Sequence, residues 1–344
     1  MFTAIKQLFD ESSPNLKARI ITIYIILAII NLGAWVWAFI AFYDSPTLLG
    51  ISLTIYCLGL RHAVDADHIA AIDNVTRKLM QMNQRPVSVG FFFAMGHSTV
   101  VFIAAALVAI AANTLNNFGS FQKYSAIIGT LVSSTFLLII AIMNIYIFIS
   151  IYKTYKRVKA GGNYIDEDMD LLLNNRGFLS RLFRPMFKLV TKGWHMFPLG
   201  VLFGLSFDTA TEVAMFGVSA AQASKGVPIE SILVFPVLFA AGMSLVDTSD
   251  GIMMLKAYDW AFVKPMRKLF YNMSITLVSI IVAIFIGGVE ALGLLADQLE
   301  LTGFFWDWIS ALGSNFNDLG YAIIGLFIIA WFISYVVYKR QNIE

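Results

Sequence analysis

Eight stretches of this chain are apolar enough, over enough residues, to cross a bilayer: 20–43, 48–74, 88–112, 124–152, 196–222, 229–255, 270–296 and 319–338. A spanning helix needs about 20 mostly apolar residues. Within lipid each such segment must satisfy its own backbone hydrogen bonds, which a helix does. The residue inventory agrees. Hydrophobic residues make up 58% of the chain and charged ones 13%, against about 25% charged in a soluble domain. So little charge cannot solvate a water-soluble globule, and such high hydrophobicity excludes a disordered chain. The net charge of +2 provides no concentrated basic face for nucleic acid. The single cysteine, Cys57, rules out a disulfide scaffold. The expected fold class is an all-α polytopic membrane protein with eight transmembrane helices.

The distribution of Lys and Arg orients these helices. Cytoplasmic loops carry an excess of both. With the N-terminus inside, all of the 24 Lys and Arg lie in inner segments except Lys123, Lys225 and Arg61. The outer 297–318 loop carries Asp297, Glu300, Asp307 and Asp318 and no cation. Both termini are therefore expected in the cytoplasm. The resulting organisation is a cytoplasmic N-terminal segment (1–19), helices 1–4 (20–152), a cytoplasmic loop (153–195), helices 5–8 (196–338) and a cytoplasmic tail (339–344). No small-residue cleavage site precedes the first span, which is longer than a signal-peptide core and reads as a retained helix. The 153–195 loop, with its Asp166, Glu167, Asp168 and Asp170 cluster, reads as a solvated linker.

The two sets of helices also resemble each other. Gly59-Leu60 matches Gly204-Leu205, which sets Asp67 opposite Glu212. Phe93-Ala94-Met95-Gly96-His97-Ser98 matches Phe239-Ala240-Ala241-Gly242-Met243-Ser244, and the same shift carries 124–152 onto 270–298. Helices 2–4 thus correspond to helices 5–7, an odd number of crossings later, so the units run in opposite directions. Inverted repeats of this kind are a transporter architecture, with substrate held near the midplane where the repeats meet.

The chemistry lies in the polar residues inside the spans. An ionisable group at the bilayer centre costs about 2.5–3.5 kcal/mol on insertion scales, so its presence points to function. Helix 2 carries Arg61, His62, Asp65, Asp67 and His68; helix 3, His97; helix 5, Asp208, Thr209 and Glu212; helix 6, Asp247 and Asp250. Three of the chain's four histidines fall among them. Imidazole with carboxylate suits borderline divalent ions such as Ni²⁺, Co²⁺, Zn²⁺ or Cu²⁺ better than Mg²⁺ or Ca²⁺. At about 100° per residue, His62, Asp65 and His68 form one oblique stripe while Asp67 points away. Either Asp67 orients an imidazole from behind, or helix 2 is locally unwound, as helices at transporter midplanes often are. Asp208 and Glu212 share one face of helix 5.

A purely structural role, cross-linking helices through hydroxyls and ion pairs, accounts well for Ser98, Thr99 and Ser134. It accounts poorly for six carboxylates against the single cation Arg61, because unpaired buried carboxylates are costly. The bottom-up reading is a permease with a His/carboxylate site for a transition metal.

At these residues the sequence resembles the nickel/cobalt transporter family of eight-helix metal permeases. The resemblance rests on Arg61-His62-Ala63-Val64-Asp65-Ala66-Asp67-His68-Ile69 and Phe93-Ala94-Met95-Gly96-His97-Ser98-Thr99-Val100-Val101. It extends to Leu205-Ser206-Phe207-Asp208-Thr209-Ala210-Thr211-Glu212 and to Gly242-Met243-Ser244-Leu245-Val246-Asp247-Thr248-Ser249-Asp250-Gly251. It implies high-affinity uptake of Ni²⁺, Co²⁺ or both across a bacterial cytoplasmic membrane. It also implies that His62, Asp67 and His68 are essential, with His97 and the Asp208–Glu212 segment contributing. The expected metal residues are then His62, Asp65, Asp67, His68 and His97. Arg61, Asp208, Thr209, Glu212, Asp247 and Asp250 are expected to support the path.

The expected partners are the divalent ion and membrane lipid, with no resident cofactor, nucleic acid or nucleotide-binding subunit. No Gly-Lys-Ser/Thr phosphate loop is present, so a secondary transporter is expected rather than an enzyme. One alternative is an efflux permease. Its relatives often carry a His-rich loop, whereas 153–195 holds only His195. A less favoured alternative is an intramembrane metallohydrolase, for which no His-Glu-x-x-His pattern is present.

Overall fold

The computed structural model describes residues 15–82, 84–111, 118–159, 190–205, 210–261, 265–315, 319, 321–323, 325–326 and 329. These residues are helical, with short connections and no strand among them. Five helices are long and apolar enough to cross a membrane, or six if one bent pair counts as a single span. Asp208, Thr209, most of 319–338, most of the 153–195 loop, most of the N-terminal segment and the whole tail lie outside the described residues.

Helix α1 (Leu16–Phe42) begins at Asn15, whose side chain accepts a hydrogen bond from the Ala18 N–H. It buries a stripe of Ile23, Leu27, Ala34, Ala38 and Phe42 and leaves Ile25, Ile29, Leu32, Val36 and Ile40 exposed. Apolar side chains so exposed along a whole helix match a lipid-facing surface.

The second apolar stretch is not one helix. Helix α2 (Pro46–His62) starts with proline at its first turn and stops at His62; helix α3 (Ala66–Gln81) resumes at a bend of 51°. Between them Asp65 is extended (φ −61°, ψ 144°) and stands as the N-cap of α3. The unwound alternative for helix 2 is therefore the one observed. Helix α3 also runs past the expected end of the span. From Ile69 to Met80 every residue is buried, including Asn74, Thr76, Arg77 and Lys78. Hydropathy assigns that segment to a loop because it is polar; it is buried because other helices meet its polar groups.

Helix α4 (Val89–Ala111) and helix α5 (Phe118–Lys159) follow. Beyond a short turn at Gly193–His195, the fifth stretch is likewise divided, into α6 (Met196–Phe203) and α7 (Ala210–Ser224). The one-turn α8 (Ile229–Ile232) leads into α9 (Val234–Ala261), then α10 (Pro265–Gln298) and α11 (Phe304–Ser314). Helix α11 lies in the segment expected to be the outer 297–318 loop. It exposes Phe304, Phe305 and Trp308, as a helix lying in the membrane interface would.

Helix α9 is the centre of the assembly, packing on α1, α2, α3 and α4, while α5 runs along α10 and α4 packs on α6 and α7. Three crossings are so close that only glycine fits, one of them α4 on α9, where Gly90 meets the Asp247 carbonyl. A Cβ on Gly59 would overlap the carbonyl of Phe239, and one on Gly242 would crowd the Tyr56 carbonyl, where α2 meets α9. The α4–α6 crossing repeats this, with Gly200 against the Phe93 carbonyl and Gly96 against that of Phe197. These backbone approaches bring the ends of α2 and α6 against α9 and α4, where the polar residues are.

Candidate metal-transport site

Four side chains from four helices converge at the break in the second span. His62 ends α2, His68 is in the first turn of α3, His97 is in mid-α4 and Glu212 is in the first turn of α7. All four are at most 3% exposed. One nitrogen from each histidine lies within 4.8 Å of the others. The Nε2 atoms of His62 and His97 are 3.1 Å apart. Glu212 Oε1 lies 2.9 Å from His97 Nε2 and 3.7 Å from His62 Nε2. The His68 ring packs 4.7 Å from that of His62 and 4.9 Å from that of His97, centroid to centroid.

The break explains how one stretch of chain supplies two of these rings. It ends α2 at His62, and the C-terminal end of a helix favours a cation. It also places Asp65 and Asp67 at the N-terminus of α3, where carboxylates are favoured. Glu212 occupies the same position on α7.

The outer face of each ring determines what its inner face can do. Both oxygens of Asp247 lie 3.3 Å from His68 Nδ1. An ionised carboxylate only accepts, so Nδ1 carries the hydrogen and donates it. The lone pair of His68 is then on Nε2, a buried atom with no partner among the described residues. Nδ1 of His62 lies 2.8 Å from Asp65 Oδ2 and 3.2 Å from Thr211 Oγ1. Only the Thr211 contact has hydrogen-bond alignment; Asp65 acts electrostatically. With Nδ1 protonated toward Thr211, the Nε2 lone pair would face inward. A carboxylate behind a ligating imidazole fixes its tautomer and raises its basicity.

Among the expected metal residues, the structure brings His62, His68 and His97 together. Asp65 stands behind the His62 ring. Asp67 is partly exposed, and its Oδ1 is buried with no hydrogen-bond partner among the described residues. Among the supporting residues, Glu212 reaches the cluster itself and Asp247 orients His68. Asp250 is buried one turn further along α9, and Arg61 is exposed on the last turn of α2. Asp208 and Thr209 lie outside the described residues. His195 belongs elsewhere: its Nδ1 accepts from the Thr191 N–H and its ring packs on Trp194.

Sequence reasoning did not single out a second buried network near the C-terminal half of α3. Asp73 accepts from the Tyr258 hydroxyl and from Ser279 Oγ. Arg77 donates to Thr276 Oγ1 and Asn74 Oδ1, each at 3.0 Å, and Asn144 Nδ2 also donates to Asn74 Oδ1. This network binds α3 to α5, α9 and α10. The available signal was a set of amides and hydroxyls, Asn74, Asn144, Thr276 and Ser279, inside otherwise apolar helices.

The family model described as NicO, high-affinity nickel-transport protein, matches residues 48–337. The chain is 54% identical to a high-affinity nickel transport protein of Cupriavidus necator, over 100% of this chain and 98% of the relative. It is 44% identical to the nickel transporter NixA of Staphylococcus aureus, over 94% of each. It is also 39% identical to the cobalt transport protein NhlF of Rhodococcus rhodochrous, over 83% of this chain and 81% of the relative. No solved structure matches it.

Proposed function

The chain belongs to the NicO family of high-affinity nickel-transport proteins, and on that premise we propose how its buried histidine cluster carries Ni²⁺ or Co²⁺ across the cytoplasmic membrane. The observation that carries the reading is the 3.1 Å approach of the His62 and His97 Nε2 atoms beside Glu212. Metal–nitrogen bonds of about 2.1 Å would span that separation at an angle of roughly 95°. A near-right angle with nitrogen and oxygen donors suits the square-planar or octahedral preferences of Ni²⁺.

The topology proposed is eight helices with both termini in the cytoplasm, helices 2–4 and 5–7 forming an inverted repeat. The paired breaks in the second and fifth stretches support it, as do the matching glycine crossings. A hydrated ion enters from outside and exchanges water for His62, His97, His68 and Glu212. With its ligands nearly inaccessible to solvent, the arrangement corresponds to an occluded step of alternating access. Inward movement of two charges is favoured by about 4.6 kcal/mol per 100 mV of inside-negative potential, at about 2.3 per charge. The ion leaves toward the C-terminal end of α9 and the N-terminal end of α10.

Purified protein in proteoliposomes tests this directly. With an inside-negative potential, vesicles should accumulate radiolabelled Ni²⁺, unlabelled Co²⁺ should compete, and His62→Ala should abolish accumulation at equal protein content. Accumulation no higher than in protein-free vesicles would contradict uptake. Loss of preloaded ion against its gradient would indicate export.

A further inference from the structure

Asp247 and Asp250 lie about one turn apart on α9, yet their surroundings differ. Asp247 is engaged by His68. Asp250 is 8% exposed, and neither carboxylate oxygen has a hydrogen-bond partner among the described residues. It lies within electrostatic reach of both Asp73 and Asp247. The oxygens of Asp73 are already occupied by Tyr258 and Ser279. Arg77, which acts on Asp73, directs its hydrogen bonds to Thr276 and Asn74. Asp250 is thus a buried acid that feels two other acids, and a buried polar group without a partner is costly unless something neutralises or coordinates it.

We propose that Asp250 is the centre of a second, all-oxygen subsite that receives the transported divalent ion from the histidine cluster on its way to the C-terminal end of α9. The proposal rests on the reading of His62, His68, His97 and Glu212 as the first site. The physical reason is release. Imidazole nitrogens hold Ni²⁺ or Co²⁺ more firmly than carboxylate oxygens do, and conduction requires a site weak enough to leave. A carboxylate about one turn beyond Asp247 attracts the ion without matching the affinity of the first site. Because Asp247 also orients His68, movement of the ion toward Asp250 and loosening of the His68 ring are coupled.

The test is equilibrium binding of Ni²⁺ alone to the purified full chain, paired with uptake by proteoliposomes. Wild-type protein should show a tight and a weak class of site. Asp250→Asn, which keeps the shape and removes the charge, should lose the weak class and retain the tight one. Its turnover should fall by about tenfold or more, the scale of removing a group that supports a metal. His62→Ala should lose the tight class and retain the weak one. A single class in wild type would overturn the proposal, as would retention of both classes in Asp250→Asn. Loss of the tight class in Asp250→Asn would make the residue a support of the first site and overturn it too. A variant with unchanged Ni²⁺ binding but an altered pH profile of uptake would identify a proton carrier instead. Tight binding unaffected by His62→Ala would refute the first site and leave the Asp250 arm to be judged on its own.

Discussion

The carboxylate of Glu212 stands 2.9 Å from the Nε2 of His97, although 115 residues separate them in the chain. The contact joins the two halves of the molecule at the point where the His62 ring also arrives. An anionic oxygen beside two imidazole nitrogens is an arrangement that a divalent cation stabilises. Glu212→Gln keeps the volume and removes the charge. The apparent KM for Ni²⁺ uptake should rise by about 10–100-fold, and an unchanged KM would exclude Glu212 from the site.

Asp247 acts through His68. Asp247→Asn substitutes a side chain that both donates and accepts, so Nδ1 of His68 is no longer held as the donor. Ni²⁺ affinity should fall by about 10–100-fold, as is usual when the partner behind a ligating histidine is removed. Calorimetric titration of the variant measures this, and wild-type affinity would show that the 3.3 Å contacts do not position the ring.

The glycine crossings should tolerate no side chain. Gly59→Val and Gly200→Val place a Cβ against the carbonyls of Phe239 and Phe93. Over-packing of this kind costs about 1–3 kcal/mol. Both variants should melt lower in detergent and yield less monodisperse protein than wild type. Normal stability in either would mean that the helices do not approach as described.

The Asn144 amide ties α5 to Asn74 on α3 and touches none of the cluster residues in any hydrogen bond among the described residues. Asn144→Leu should cost about 1–3 kcal/mol of stability by removing a buried hydrogen bond while leaving Ni²⁺ affinity unchanged. Thermal unfolding and titration of the same sample separate the two effects. A large loss of affinity without a loss of stability would place Asn144 on the ion path.

Imidazole must be neutral to bind metal, so protons compete with the ion. Uptake should weaken as the pH falls and recover as it rises. Initial rates at fixed membrane potential give the sign. A flat profile from pH about 7.5 to about 5 would contradict ligation by histidine.

Much of the site was legible because ionisable residues are rare in spans. Three of four histidines fell into two helices, and both helices reach the cluster. On a continuous helix, periodicity puts His62, Asp65 and His68 on one stripe with Asp67 pointing away, which leaves local unwinding as an alternative without placing it. The break after His62 turns Asp65 into an N-cap behind the ring, and His68 arrives from a different helix. Periodicity cannot reveal such a break, because the residues at which the chain unwinds, Ala63, Val64 and Asp65, carry no glycine or proline. Glu212 could be assigned only to a supporting role, since its 2.9 Å contact depends on how α7 packs against α4. The polar end of α3 was misplaced for a related reason. Hydropathy treats Arg77 and Lys78 as solvated, whereas for Arg77 the partners Asn74 and Thr276 come from its own helix and from α10.

The central claim is that the histidine rings themselves hold the ion. X-ray absorption at the nickel edge, on purified protein loaded with less than one equivalent of Ni²⁺, tests it most directly. The account predicts a first shell of nitrogen and oxygen at about 2.1 Å, with the outer-shell scattering of two or three imidazoles that weakens in His62→Ala and His97→Ala. An all-oxygen shell without imidazole scattering, the same in wild type and both variants, would contradict it.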